Sequence, residues 1–195
     1  MELYIVRHGR TCWNELHKLQ GAADISLNED GREAARRLGR ELKDVSFDMI
    51  FSSPLDRAYE TACLIRGPRD IPIRRDDRMQ EINFGEIEGV LFEDVLSSGK
   101  PCRFLFSDPE HFEPAPGGES LDDVRRRTED FALSVLEPLY GKAERILVVG
   151  HGVVNKGLMC YLEGLDNAHF WGKGLQKNCQ ADIFSYQGST WQRIV

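Results

Sequence analysis

The sequence predicts an α/β fold, with a mainly parallel sheet, an antiparallel edge and flanking helices. Three observations predict it. Two short apolar runs, Leu3-Tyr4-Ile5-Val6 and Ile146-Leu147-Val148-Val149, lead into Arg7-His8-Gly9 and Gly150-His151-Gly152. Both are short and β-branched and run into glycine, the pattern of a buried strand entering a tight turn. Strand-like runs alternate with amphipathic stretches through most of the chain. The tail, Ala181 to Tyr186 and Thr190 to Ile194 about Gly188-Ser189, reads as a hairpin.

The elements follow in order. The Leu3 run is the first strand, and a loop continues to about Asn28. Leu38, Leu42 and Val45 then fall at helical spacing in a charged stretch. Asp48 to Phe51 reads as the second strand. Ser52-Ser53-Pro54 opens a second helix, serine suiting the cap and proline the first helical position. A third short strand is expected near Ile71 to Arg74. Residues 84–118 hold Pro101, Pro109, Pro114, Pro116 and several glycines and aromatics; they read as an inserted lid or wall with one short helix from Leu91 to Leu96. Ser120 caps a long helix whose inward positions are Leu121, Val124, Thr128, Phe131, Val135 and Leu139. After the Ile146 strand a helix runs from about Val153 to Leu162.

Composition bounds the function. A chain of 195 residues with 41% hydrophobic content can bury a full core, and one domain, 1–195, is the simplest organisation. No stretch approaches the ~18 apolar residues of a membrane span. No basic segment followed by an apolar core opens the chain, so a cytoplasmic location is expected. The cysteines at 12, 63, 102, 160 and 179 are odd in number and lack CxxC spacing; they read as reduced thiols, with Cys12 as a small packing residue. A net charge of −7 argues against non-specific nucleic-acid binding while allowing a small cationic pocket.

In an open parallel sheet, ligands bind beyond the carboxyl ends of the strands. Two strands that each deliver a histidine to that edge can place both imidazoles in one crevice. A neutral imidazole is a nucleophile near neutral pH. Arg7 beside it supplies a forked, permanently charged donor, and Arg57 falls in the first turn of the second helix, where free N–H groups favour an anion. Two arginines, a helix N-terminus and two histidines suit a phosphoryl group better than a carboxylate. Taken singly each residue has a plainer reading: His8 or His151 as a satisfied core histidine, Arg57 as a solvated helix residue, Glu81 as a surface charge.

With Asn14 behind it, the segment Leu3 to Thr11 resembles the signature of the histidine phosphatase superfamily, the phosphoglycerate mutase-like proteins. Further segments match in order: Gln20-Gly21 with Asp24, Leu27 and Gly31; Ser52 to Ala62; Glu81-Ile82-Asn83-Phe84-Gly85 with Glu88-Gly89; Pro116 to Ser120; and Val148 to Gly152. The resemblance implies a three-layer αβα sandwich. It also implies that His8 carries the phosphoryl group as a phosphohistidine. Arg7, Arg57 and His151 then hold the phosphoryl oxygens, with Asn14 as an extra donor, and Glu81 acts as general acid and base. No metal and no cofactor are implied, and no HxH, HExxH or paired-aspartate cluster occurs. Gln20, Gly21, Arg10 and Asn155 are weaker pocket candidates. Arg10 departs from the family's usual glutamate or glutamine and places positive charge near the mouth; Asn155 reads as a pocket contact or a helix-face residue. His17, His111 and His169 match nothing.

A mutase must exclude water and hold a phosphorylated acid, which calls for a longer, more basic enclosure. Here Lys100 and Arg103 are the only basic residues between Ser97 and Pro116. The expected activity is therefore hydrolysis of a phosphomonoester of a small metabolite. Size and pattern resemble the small bacterial phosphatases, the α-ribazole phosphatases and broad-specificity enzymes among them. Phosphoglycerate mutase-type transfer and a catalytically silent phospho-ligand binder are the alternatives. Phe84, Phe92, Phe104, Phe106, Phe112 and Trp171 read equally as pocket wall and as core. The hairpin and the Leu158 to Trp171 stretch fit either a homodimer contact or core and edge.

Overall fold

The computed structural model describes residues 1–194; Val195, the end of the expected 1–195 domain, lies outside them. One six-stranded sheet organises the chain. Its strands are β1 (Glu2–Arg7), β2 (Met49–Ser52), β3 (Ile73–Arg75), β4 (Arg145–Gly150), β5 (Ala181–Tyr186) and β6 (Trp191–Arg193), in the spatial order β3-β2-β4-β1-β5-β6. The first four pair in parallel, while β5 runs antiparallel to β1 and β6 antiparallel to β5. This is the mainly parallel sheet with an antiparallel edge that the sequence predicts.

Successive residues of a strand point to opposite faces, so a strand buried on both sides has no polar alternation. Leu3 and Ile5 of β1 and Ile146 and Val148 of β4 enter one core with Val124, Phe131, Val154 and Leu158. Tyr4, Val6, Leu147 and Val149 enter a second core with Leu38, Ala58, Ala62 and Ile65. Helices α2 (Glu29–Glu41) and α3 (Asp56–Arg66) cover the second face; α5 (Leu121–Phe131) and α6 (Gly152–Glu163) cover the first. The result is a three-layer sandwich. Residues 84–118, with α4 (Phe92–Ser97), bury Val95, Cys102 and Leu105 against the first core.

Several local expectations are revised. The loop after β1 contains a short helix, α1 (Cys12–Glu15), closed by a capping box between Thr11 and Asn14. Cys12 is exposed on it and fills no core; all five cysteines are free. Helix α3 begins at Asp56, with Leu55 as cap, so Ser52, Ser53 and Pro54 precede it. The long helix keeps its Ser120 cap and capping box but stops at Phe131, then widens into a π turn over Ala132–Leu136. Pro138, at the start of the next turn, has no N–H to continue an α-helical ladder. Within 158–171, Leu158, Met159, Cys160 and Phe170 are fully buried in this chain's own core.

Candidate active site

Register brings the two histidines together. β1 and β4 are neighbours with Arg7 opposite Gly150, so His8 and His151 lie one residue beyond the carboxyl ends of paired strands. Their ring centroids are 5.0 Å apart and both are buried. The His8 N–H donates to Gly150 O at 3.0 Å, and the Gly9 N–H donates to Thr61 Oγ1 at 3.0 Å, which fixes the turn. Gly9 is required there by contact: a Cβ on it would stand 2.5 Å from Gly31 O.

Hydrogen bonds fix both tautomers. His8 Nδ1 lies 2.6 Å from Gly9 O; a carbonyl only accepts, so Nδ1 carries the proton and Nε2 keeps its lone pair. His151 accepts from Arg57 Nε at Nδ1, 3.2 Å, so its proton is on Nε2, which donates to Ser53 Oγ at 2.7 Å. Burial, first, and then Arg57 and nearby charges hold both imidazoles well below their ordinary pKa, so both are neutral at neutral pH.

Arg57 is fully buried. Nη1 donates to Ala23 O at 2.6 Å and Nη2 to Gly21 O at 2.7 Å. Those carbonyls are aimed by Glu88, which accepts from the N–H groups of Ala22 (2.7 Å), Ala23 (2.9 Å) and Phe84 (3.1 Å). Gly21 has φ +56°, and a Cβ on it would fall 2.2 Å from Glu88 Oε1. The expectation of free N–H groups at the start of α3 is corrected: Asp24 accepts from Asp56 N at 2.6 Å and from Arg57 N at 3.5 Å. The guanidinium of Arg57, not that helix terminus, faces the crevice.

Glu81 is buried on the other side. Its Oε1 accepts from Ile82 N (3.0 Å) and Val154 N (2.9 Å), and Oε2 from Val153 N (3.1 Å), so it closes the N-terminus of α6. Arg7 Nη1 donates to Gln176 O at 2.7 Å, while Arg7 Nε is buried with no hydrogen-bond partner among the described residues. Burial lowers the pKa of Arg7 and Arg57 and Glu81 opposes the shift; a guanidinium stays charged at neutral pH. Asn14 Oδ1 is occupied by Thr11, which leaves Nδ2 as its free donor.

Arg7, His8, Asn14, Gln20, Gly21, Arg57 and Glu81 line one pocket of about 80 Å³, with Lys18, Phe84, Phe106 and Leu175 at its sides. That is well under the ~300 Å³ of an ordinary ligand pocket and close to the size of one tetrahedral anion. His151 stands behind it, bonded to Arg57. Arg10 and Asn155 are elsewhere. The Arg10 backbone is clamped against Gly31, and its side chain lies beside Asp30, Glu33 and Arg37. Asn155 is buried within α6, donating to Val6 O and Gln176 Oε1. Of the aromatics, Phe84 and Phe106 reach the pocket; Phe92 and Trp171 pack on Phe106 at 5.0 and 4.8 Å. His17, His111 and His169 are exposed. Among the described residues, no group of three or more His, Cys, Asp or Glu side chains is placed to hold a metal ion.

A family model, histidine phosphatase superfamily (branch 1), matches residues 3–194. The chain belongs to this superfamily. It is an enzyme of the phosphatase class. It is 33% identical over 174 residues to phosphoserine phosphatase 1 of Hydrogenobacter thermophilus, covering 89% of this chain and 82% of that protein. It is also 33% identical over 168 residues to the 2,3-bisphosphoglycerate-dependent phosphoglycerate mutase of a Methylobacterium species, covering 84% and 81%. Among solved structures, the α-ribazole phosphatase of Shigella flexneri superposes with a TM-score of 0.88 at 28% identity, over 100% of this chain and 95% of that one. No helix among the described residues is long and apolar enough to cross a membrane.

Sequence reasoning placed Asp24, Ser53 and Glu88 in matching segments but gave them no role in the site, and it missed Leu175 and Gln176. For Glu88 a signal existed, an acid just before a glycine in the segment that matches the superfamily. For Gln176 there was none: it reaches the site only because β5 returns beside β1.

Proposed function

We propose that this chain hydrolyses phosphomonoesters of small metabolites through a phosphohistidine at His8, without a metal. The observation that carries the proposal is the His8 tautomer. A buried neutral imidazole presents the Nε2 lone pair to a compartment of phosphoryl size lined by two guanidiniums. Nε2 attacks phosphorus in line with the ester oxygen, and an N–P bond forms as the O–P bond breaks. Arg57, Arg7 and the Asn14 amide hold the phosphoryl oxygens; the unpartnered Nε of Arg7 is a donor already desolvated for that contact. His151 fixes Arg57 through Nδ1, and its Nε2–H exchanges Ser53 for a phosphoryl oxygen.

Glu81 supplies the proton to the leaving alcohol. Oε1 takes two backbone N–H bonds and Oε2 one, so Oε2 has the lone pair that carries the proton. After the alcohol leaves, the carboxylate takes a proton from water, which attacks phosphorus and releases phosphate from His8. Phe84, Phe106 and Lys18 line the pocket beyond the phosphoryl donors, which supports a small metabolite ester such as α-ribazole phosphate or phosphoserine. The mutase-named relative at the same identity favours a second reading, transfer to a phosphorylated acid. Against it, Lys100 and Arg103 stay away from the pocket; Arg103 packs on Phe104, 4.6 Å from its centroid.

Phosphate release measured with EDTA present, over α-ribazole phosphate, phosphoserine, 3-phosphoglycerate, sugar phosphates and a nitrophenyl ester, tests the proposal. Turnover of at least one ester, lost in His8→Ala, is expected. Exchange between phosphoglycerates primed by a bisphosphoglycerate, with no net hydrolysis of any ester, would decide for transfer.

A further inference from the structure

A second cavity, of about 680 Å³, opens one turn further along α6. Val153 lines the His8 pocket, and Lys156, three residues on and on the same helix face, lines this one. Lys156 is 3% exposed, and its ammonium has no hydrogen-bond or ion-pair partner among the described residues. Its stem is packed in the core while Nζ reaches the cavity; an ammonium held so far out of bulk water with no bonded counter-charge is costly. An apolar side chain would satisfy the same helix face at no such penalty.

The surrounding charges make the cavity cationic. Arg193 lines it too, and so do Lys173 and Lys177 at its exposed rim. Asp182, its one acidic lining residue, is already paired with Arg193 and accepts from Gln176 Nε2. Glu163 also binds Arg193, at 2.8 Å. Glu163 and Asp182 offset part of the Lys156 charge from a distance, but both are bonded to Arg193 and neither bonds Lys156, in a chain whose net charge is −7. Burial and the neighbouring Arg193 press its pKa down, as expected where an anion is wanted and none is supplied by the fold.

We propose that this cavity is a second anion site, built on Lys156 with Arg193, Lys173 and Lys177, that takes a small, multiply charged oxyanion. Its wall is shared with the catalytic pocket. Leu175 lines both. Gln176 accepts from Arg7 Nη1 through its carbonyl and donates from its side chain to Ile5 O at 3.0 Å. Asn178 Nδ2 donates to His8 O at 2.9 Å. An anion seated on Lys156 therefore braces the segment that holds Arg7, and its occupancy is felt at His8.

Citrate is the probe; because it can also meet the guanidiniums of the pocket at His8, the difference between wild type and Lys156→Met is what reports the second cavity. Calorimetric titration should show a saturable citrate site in the wild type whose affinity is weakened at least tenfold in Lys156→Met. Methionine matches the length of lysine without its charge, and a thermal melt of the variant checks its fold. Absence of saturable citrate binding to the wild-type protein, or equal binding by wild type and a folded Lys156→Met, would overturn the site. If the variant does not fold, a structure of the wild-type protein with citrate decides, supporting the site only with a carboxylate on Lys156 Nζ. The coupling to His8 rests on the hydrolase reading and is tested separately: saturating citrate should shift KM for the best ester at least twofold in the wild type but not in Lys156→Met. An unchanged KM alongside intact binding would overturn the coupling alone.

Discussion

The reactivity of His8 turns on which ring nitrogen carries the proton, and a single carbonyl, Gly9 O, decides it. Replacing His8 by alanine should lower kcat on the order of 10⁴-fold or more, because the nucleophile itself is removed and Glu81 is placed at the leaving group as acid and base. The pH dependence follows from the same environment. Burial, Arg57 and Arg7 depress the imidazole pKa, so activity should persist below pH 6.5 and fall only as His8 finally protonates. A pH profile of kcat/KM with its acid limb at 6.5 or above would contradict this. Glu81→Gln should slow turnover of an alkyl phosphate by about 10²–10³-fold. It should leave cleavage of a nitrophenyl ester, whose leaving group needs no proton, far less affected; comparing first-step rates for the two esters reads this directly. At this scale Arg7, His8 and His151 were legible because a strand followed by glycine fixes where they emerge. The burial of Arg57 was not, since its partners are backbone carbonyls of a loop some thirty residues upstream. Arg10 was misplaced because only the close contact of Gly9 and Gly31 shows which way the chain turns.

Among the elements, the 20–24 loop and the start of α3 form one unit held by two carboxylates. Asp24 caps α3 and pairs with Arg57 at 3.5 Å, while Glu88 holds the N–H groups whose neighbouring carbonyls grip Arg57. Asp24→Ala should cost about 1 kcal/mol in a denaturant melt, the usual effect of losing a cap. Glu88→Gln should reduce kcat/KM roughly tenfold through the position of Arg57, a donor of the kind worth a few kcal/mol in such sites. Serine and proline ahead of a helix are a sound local signal, but here a side chain from a distant loop took the capping role. Likewise the apolar spacing through Leu139 hid the π turn, since Val135 and Leu139 pack on the core whichever helical form carries them.

For the molecule as a whole, the sheet was the most legible feature. Short, β-branched apolar runs that end in glycine fit strands covered on both faces, and their alternation with helices leaves few topologies. The walls were not legible. Residues 84–118 and 164–180 form turns and short helices whose positions depend on contacts such as Trp171 Nε1 to Leu105 O, at 2.6 Å. Two buried neutral histidines also set the acid stability of the fold. The unfolded chain binds protons at His8 and His151 below about pH 6.5, whereas the folded chain resists them. Their contribution is therefore present above pH 6.5 and is lost as the pH falls below it, with a slope of at most about 1.4 kcal/mol per pH unit for each histidine. Urea melts between pH 7 and 5 should show this slope, halved in a folded His8→Asn variant.

The central claim is the covalent intermediate, and the direct measurement is a rapid alkaline quench of enzyme mixed with radiolabelled ester, followed by peptide mapping. Label on the His8 peptide, stable to alkali, released by acid and absent from His8→Ala, is the predicted result. Steady turnover with no label on the protein at any quench time, or turnover retained by His8→Ala, would contradict it.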